Sequence, residues 1–219
     1  EFWLERWERA EIGFHQAEVN PYLLKHWGAL QATQGGEAGG EIFVPLCGKT
    51  LDMLWLRQQG HAVLGVELSP IAVRDFFAEN GLALNHSSSG QFDRCEAEGI
   101  RILCGDFFEL TRVHLAQVRA VYDRASLVAL PPEMRARYAR HLAETLPAGT
   151  QVLLVTFDYP QEEMNGPPFA VSVAEVQALY ANYAEVRLLE QVDILEREPR
   201  FKARGVTRMQ ENIFLLTMK

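Results

Sequence analysis

Gly48, Glu67 and Asp106 each close a short apolar run, and their types suit them to hold a ligand. Gly48 lies in "VPLCGKTLD" (44–52), where "EIFVP" passes one glycine and enters "TLDMLWLRQQG", apolar at helical spacing. Gly48-Lys49-Thr50 matches the end of the phosphate-loop pattern G-x-x-x-x-G-K-[ST], but the pattern's first glycine falls on Phe43, inside the apolar run. A strand residue cannot wrap backbone N–H groups around a phosphate, so a P-loop is excluded. A dinucleotide fingerprint needs three glycines for the backbone to approach a pyrophosphate, and this loop has one. A lone glycine still permits close approach of a nucleoside without a phosphate. It also serves as a plain turn between strand and helix.

Glu67 ends the next apolar run, "HAVLGVEL" (61–68). The two oxygens of a carboxylate match a vicinal diol, so Glu67 at a strand tip could accept both hydroxyls of a ribose. A solvated strand-end acid is the alternative. Asp106 closes "IRILCGDFF" (100–108), where an acceptor could meet an adenine amino group. Ligands of open α/β sheets bind at such carboxyl ends, and S-adenosylmethionine is a nucleoside ligand without phosphate that suits this set.

The remaining chemistry-bearing residues are fewer. Arg124 follows Asp123 in "AVYDRASLVAL" and reads either as a guanidinium contacting cofactor or acceptor, or as half of a structural ion pair with Asp123 or a neighbouring acid. His15 in "GFHQ" reads as a general base or as a hydrogen-bonded structural residue. Cys47 and Cys104 read as small apolar fillers, and no group has metal-ligand spacing. No nucleophile–base triad is apparent, so no dedicated catalytic residue is expected. Phe2, Trp3, Trp7 and Phe14 form an aromatic start that either covers a cationic ligand or staples a helix to the body.

Alternating strand and helix patterns must position these groups. Ser69-Pro70 starts a helix through "IAVRDFFAEN", closed by Gly81. "SSSGQFDRCEAEG" reads as a polar excursion, "PPEMRARYARHLAETL" as a helix opened by prolines, and "TQVLLVTFDY" as a fifth strand. Ser172 with Glu175 forms a capping box, and "EVRLLEQVDIL" and "ENIFLLTMK" end the chain as an antiparallel pair. The alternation implies a mostly parallel sheet. Asn20-Pro21 opens a further helix in an N-terminal extension over residues 1–40, and "TQGGEAGGE" (33–41) reads as a flexible connector.

The 219 residues suit one domain, and 48% hydrophobic content supports a sizeable core. A net charge of -8 argues against nucleic acid as partner. The three cysteines form no C-x-x-C pair and no disulfide framework, which suits a reduced compartment. No apolar run approaches the about 18 residues of a membrane span, and no signal segment is apparent. A cytoplasmic monomer is the expectation.

"FWLERWERAEIGFHQ", "FVPLCGKTLDMLWL", "GHAVLGVELS", "CGDFFEL", "YDRASLVALPPEMRARY" and "GPPFAVSVAEV" together resemble the thiopurine S-methyltransferases, most closely their bacterial branch. The likeness spans nearly the whole chain, and PLCGK in place of a glycine-rich loop is its most distinctive part. It implies the α/β, Rossmann-like fold of class I S-adenosylmethionine-dependent methyltransferases: a seven-stranded, mostly parallel sheet with one antiparallel edge strand and helices on both faces. It further implies that Trp7, Leu46, Glu67 and Arg124 contact the cofactor, with Gly48 allowing close approach. Asp106 and Phe107 would lie near the adenine, Trp3 in the same aromatic patch, and Phe14 along the acceptor pocket. Arg200, or alternatively Arg204, would face the acceptor. Pro160 in "FDYPQEE" stands where bacterial relatives usually carry an acid.

The implied reaction moves a methyl group to an aromatic or heterocyclic thiol such as a thiopurine, and bacterial relatives are also associated with selenium or tellurium compounds. The alternatives are methylation of oxygen or nitrogen in a small molecule, a non-catalytic S-adenosylmethionine-binding protein, and more remotely a nicotinamide dehydrogenase.

Overall fold

The structure, a computed structural model, describes residues 2–30 and 40–219. The connector reading therefore falls almost wholly outside the described residues. The chain divides into two compact units, Glu1–Val121 and Tyr122–Lys219.

The first unit is built on β1 (Glu41–Val44), β2 (Ala62–Glu67), β5 (Ile100–Cys104) and the start of β6 (Val118–Arg124). β1 pairs in parallel with β2 and β6, and β2 in parallel with β5. β2 is buried along nearly its whole length, which is why it reads as a continuous apolar run rather than an alternating one. The order β5-β2-β1-β6 reverses direction at β1. The crevice at such a reversal opens beyond the carboxyl end of the strand, where Gly48 lies.

Helix α3 (Asp52–Gln58) carries the chain from β1 to β2 and buries Met53 and Leu56, each contributing about 1.5–3 kcal/mol of hydrophobic stabilisation. Helix α4 (Pro70–Glu79) follows β2. Its N-cap is Ser69, whose Oγ accepts from the Ala72 N–H at 3.3 Å, with Pro70 in the first turn and Gly81 at φ +64 just past the end, as the sequence implies.

Two shorter helices precede the sheet, α1 (Phe2–Glu8) and α2 (Pro21–His26). Asn20 caps α2, its Oδ1 accepting from the Tyr22 N–H at 2.9 Å. Its own N–H donates to the buried Asp52 Oδ1 at 2.8 Å, which ties the extension to α3.

The polar excursion is instead a hairpin, β3 (Asn85–Ser89) with β4 (Phe92–Ala97), antiparallel to each other and β4 antiparallel to β5. Phe92 of this hairpin lies 2.6 Å from where a Gly105 Cβ would stand, so the strand tip after β5 must be glycine. With this hairpin the described strands number nine, not seven, and antiparallel pairing is not confined to one edge strand.

The second unit holds α5 (Pro132–Thr145), β7 (Gln151–Asp158), α6 (Val173–Tyr180), β8 (Ala184–Asp193), α7 (Pro199–Ala203) and β9 (Gln210–Met218). β9 lies between β7 and β8 and is antiparallel to both, so the expected terminal pair is present. The capping box is half formed. Ser172 Oγ accepts from the Glu175 N–H at 3.2 Å, while the Glu175 carboxylate pairs with Arg135 at 2.6 Å.

Candidate cofactor site

In the first unit the structure brings two of the sequence-derived residues, Gly48 and Glu67, into direct contact. The Glu67 side chain is 7% exposed, and each oxygen accepts one backbone N–H: Oε2 from Gly48 at 2.7 Å and Oε1 from Ser69 at 2.8 Å. Burial raises its pKa, and the nearby backbone N–H groups of Ser69, Gly48 and Leu68 oppose that rise. One acceptor position per oxygen is used by the protein. The second position on each suits a vicinal diol, so the residues fit the ribose of S-adenosylmethionine.

The loop between β1 and α3 approaches this acid through two left-handed residues. Gly48 has φ +52, which glycine adopts freely, but Leu46 has φ +46, a conformation costing a branched residue about 1 kcal/mol. Such strain persists where surroundings enforce it, and here they are specific. The Cys47 N–H donates to Val66 O at 3.0 Å, and Cys47 Sγ lies 2.7 Å from where a Gly65 Cβ would be. Gly65 is thus the gap on β2 into which the loop's cysteine drops, which supports reading Cys47 as a filler; burial and the Glu67 charge both raise its thiol pKa.

Lys49 is 9% exposed, and its Nζ donates to both oxygens of Glu79 at 2.7 and 2.9 Å. Its ammonium pins the loop to α4 rather than awaiting a phosphate, in line with excluding a P-loop. The pair is asymmetric, because the Glu79 side chain is 53% exposed. Replacing Lys49 by Met keeps the packing and removes the buried charge, so it is expected to change stability by less than about 1 kcal/mol. Glu79→Gln strands the buried charge and is expected to cost more. Urea denaturation of the two variants checks the order.

Trp7 is buried against the glycine: a Cβ on Gly48 would meet its Cζ2 at 3.3 Å. Phe14 joins Trp7 and Trp3 by edge-to-face contacts, with ring centroids 5.5 and 5.4 Å apart. The aromatic start therefore gathers beside the loop as one cluster. The His15 N–H donates to Ile12 O at 2.8 Å, inside the turn that carries Phe14. At the neighbouring strand tip the Gly105 N–H donates to Glu67 O at 2.9 Å. Asp106 is exposed, with Oδ1 accepting from the Phe108 N–H at 2.9 Å, and Phe107 is buried.

The second unit carries the other two site residues. Arg124 is the last residue of β6, and the suggested ion pair with Asp123 does not form: Asp123 Oδ2 accepts from the Tyr138 hydroxyl at 2.6 Å. Arg200 pairs with Glu198 at 3.0 Å and lies 4.7 Å from the Phe201 ring centroid. Arg204 donates to Asn165 O at 3.1 Å.

Sequence reading missed three supporting groups here. Ser69 has the signature of a helix cap alone, yet its N–H also holds Glu67. Tyr138 and Arg135, on α5, hold Asp123 and Glu175. Arg135 is 2% exposed, its Nε donating to Leu130 O at 3.0 Å, and only an arginine inside an otherwise apolar helix stripe could have signalled it.

The fold is that of class I methyltransferases. Over all of this chain and 86% of the other, it matches Burkholderia thailandensis 1,6-didemethyltoxoflavin-N1-methyltransferase, solved with 1,6-didemethyltoxoflavin and S-adenosylhomocysteine, at a TM-score of 0.62 and 13% identity.

The sequence resolves the family within that fold. The family model described as Thiopurine S-methyltransferase (TPMT) matches residues 1–219, and the chain belongs to this family. It is 59% identical over 216 residues to the thiopurine S-methyltransferase of Nitrosospira multiformis, covering 99% of this chain and 96% of that one. To the protein of the same name from Pseudomonas paraeruginosa it is 53% identical, covering 99% and 97%.

Proposed function

We propose that this chain transfers the methyl group of S-adenosylmethionine to the sulfur of aromatic or heterocyclic thiols, thiopurines among them. The observation that carries the reading is the Gly48–Glu67 latch beneath Trp7, in a chain of this family. A phosphate-free nucleoside needs a close backbone and a diol acceptor, and that is what Gly48 and Glu67 offer.

When bound, the cofactor supplies an electrophilic methyl on a sulfonium. Glu67 would hold the ribose, Gly48 and Leu46 would line its approach, and Asp106 and Phe107 would flank the adenine. Trp3 and Trp7 exclude water from the sulfonium side, where aromatic faces attract the cation by about 0.5–2 kcal/mol. Phe14 and Arg200 face the acceptor, and Arg124 supplies a fixed positive charge at the cofactor. Charges cancel as the methyl moves to a thiolate, so a dry pocket favours transfer. Alignment of the two reactants could contribute up to about 7–11 kcal/mol in ideal cases. An aromatic thiol ionises readily near neutral pH, so these residues need provide no base.

In this reading the whole chain is one methyltransferase domain, residues 1–40 form a lid, and the protein is a cytoplasmic monomer. No helix among the described residues is long and apolar enough to cross a membrane. The surplus of acidic groups supports a small-molecule acceptor rather than nucleic acid.

A panel of 6-mercaptopurine, thiophenol, phenol, aniline, selenite and tellurite, each with S-adenosylmethionine, tests the proposal through S-adenosylhomocysteine release. Turnover of the two thiols is expected. Turnover confined to phenol or aniline would move the reaction to oxygen or nitrogen, and binding without turnover would make the chain a sensor.

A further inference from the structure

Asp123 is a buried acid that the chemistry above leaves without a role. It is 0% exposed at the end of β6. Oδ2 accepts from the Tyr138 hydroxyl of α5 at 2.6 Å, while Oδ1 meets no donor in hydrogen-bonding geometry among the described residues. The Ser126 hydroxyl and the N–H groups of Leu127 and Ser126 nevertheless lie near enough to favour the charged form. Tyr180, from α6, is the other titratable group facing it. Burying an incompletely paired acid is unfavourable, and an apolar residue would avoid that cost.

A strained turn follows the acid directly in the chain. Ala125 has φ +68, a left-handed conformation that strains a non-glycine residue. Ser126, buried, and Leu127 come next, in a short 3-10 turn closed by Ala129 N–H to Ser126 O at 3.0 Å. The pull of Asp123 on the donors of Ser126 and Leu127 lies across the strained residue.

Arg124 stands between the buried acid and the strained alanine, half-buried and in no ion pair among the described residues. Successive strand side chains point to opposite faces, so anchoring Asp123 on one face fixes the direction of Arg124 on the other. We infer that Asp123, held by Tyr138, is a positioning residue for Arg124, locking the strand-end turn so that the guanidinium is presented to the cofactor. The inference rests on Arg124 being a cofactor contact, as proposed above.

A double-mutant cycle tests it, with S-adenosylhomocysteine affinity by calorimetry and kcat and KM with 6-mercaptopurine. Arg124→Ala is expected to weaken S-adenosylhomocysteine about tenfold or more, and Asp123→Asn and Tyr138→Phe each by about three- to tenfold. Combining either with Arg124→Ala should add nothing to the loss from Arg124→Ala alone. If Arg124→Ala changes no affinity, the reading of Arg124 fails. If it does, but Tyr138→Phe and Asp123→Asn have no effect or add fully to it, the positioning role fails and Arg124 stands. Tyr138→Phe removes one hydroxyl and keeps the inference testable should Asp123→Asn not fold.

A pH series separates positioning from general stabilisation. Burial pushes the Asp123 carboxyl up to about 6, and the Tyr138 hydroxyl opposes that rise. Affinity should therefore fall as pH drops through about 6, and Tyr138→Phe should move that loss to higher pH. Glu67 adds its own acid-side loss in both proteins, so the displacement between them is the reading. A lowered thermal midpoint with no displacement would reduce the pair to a structural one and overturn the inference.

Discussion

Replacing Glu67 by Ala is expected to weaken S-adenosylmethionine at least about a hundredfold while leaving the protein folded. The estimate follows from two hydrogen bonds between a charged carboxylate and the ribose hydroxyls, each worth about 1.5–3 kcal/mol. About 1.4 kcal/mol corresponds to a factor of ten. Stability should change far less, because two effects oppose. The variant loses a buried acid, relieving its desolvation, but leaves the Gly48 and Ser69 N–H groups without their acceptor. Glu67→Gln is not a silent control. One amide must then turn an NH2 toward one of those two donors, so about a tenfold loss is expected. Calorimetric titration with S-adenosylhomocysteine, alongside thermal denaturation, makes the measurement, and unchanged affinity in Glu67→Ala would remove this residue from the site.

The same acid links pH to both quantities with opposite signs. Burial raises the folded-state pKa of Glu67 above its unfolded value. Its contribution to stability is therefore fully present below the unfolded pKa and lost as pH rises through the folded one. Diol binding needs the charged form, so affinity instead falls as pH drops through that folded value. In Glu67→Ala both dependences should lose this group's share.

Much of this site is legible in the sequence because each strand tip carries its own local signal. A glycine after an apolar run marks the turn, an acid after the next run marks the proposed diol acceptor, and Asn20 and Ser69 announce the helices behind them. What is illegible depends on partners distant in sequence. Nothing in "YDRAS" says that Asp123 turns to Tyr138 one helix later rather than to Arg124 beside it. The capping-box reading of Glu175 is locally sound, but Arg135 offers a buried charge and wins the carboxylate. The β3–β4 hairpin escapes because "NHSSS" and "FDRCEA" lack the regular apolar alternation that usually betrays a strand; β4 buries only Phe92, Cys95 and Ala97. The left-handed Leu46 has no sequence signature at all, since leucine is chosen there despite its backbone and not because of it.

That contrast between Leu46 and Gly48 gives the second large effect. Gly48→Val places a β-branched residue at φ +52, with its Cβ 3.3 Å from Trp7 Cζ2. The left-handed conformation costs about 1–2 kcal/mol, and the buried indole, itself packed on Phe14, has little room to yield. Together these should lower stability by about 2–3 kcal/mol and the thermal midpoint by several degrees. Affinity for S-adenosylmethionine should fall about tenfold as the Gly48 N–H swings from Glu67. Leu46→Gly does the reverse. It removes the strain but adds freedom to the unfolded chain by a similar amount, so stability should stay within about 1 kcal/mol. If Leu46 packs on the cofactor as proposed, affinity should still fall, by about tenfold, with the loss of that side chain. Affinity lost with stability kept marks Leu46 as a contact whose strain is retained for binding. If Leu46→Gly binds S-adenosylhomocysteine as the parent does, the loop's left-handed turn serves only to bring Gly48 under Trp7, and Leu46 leaves the site.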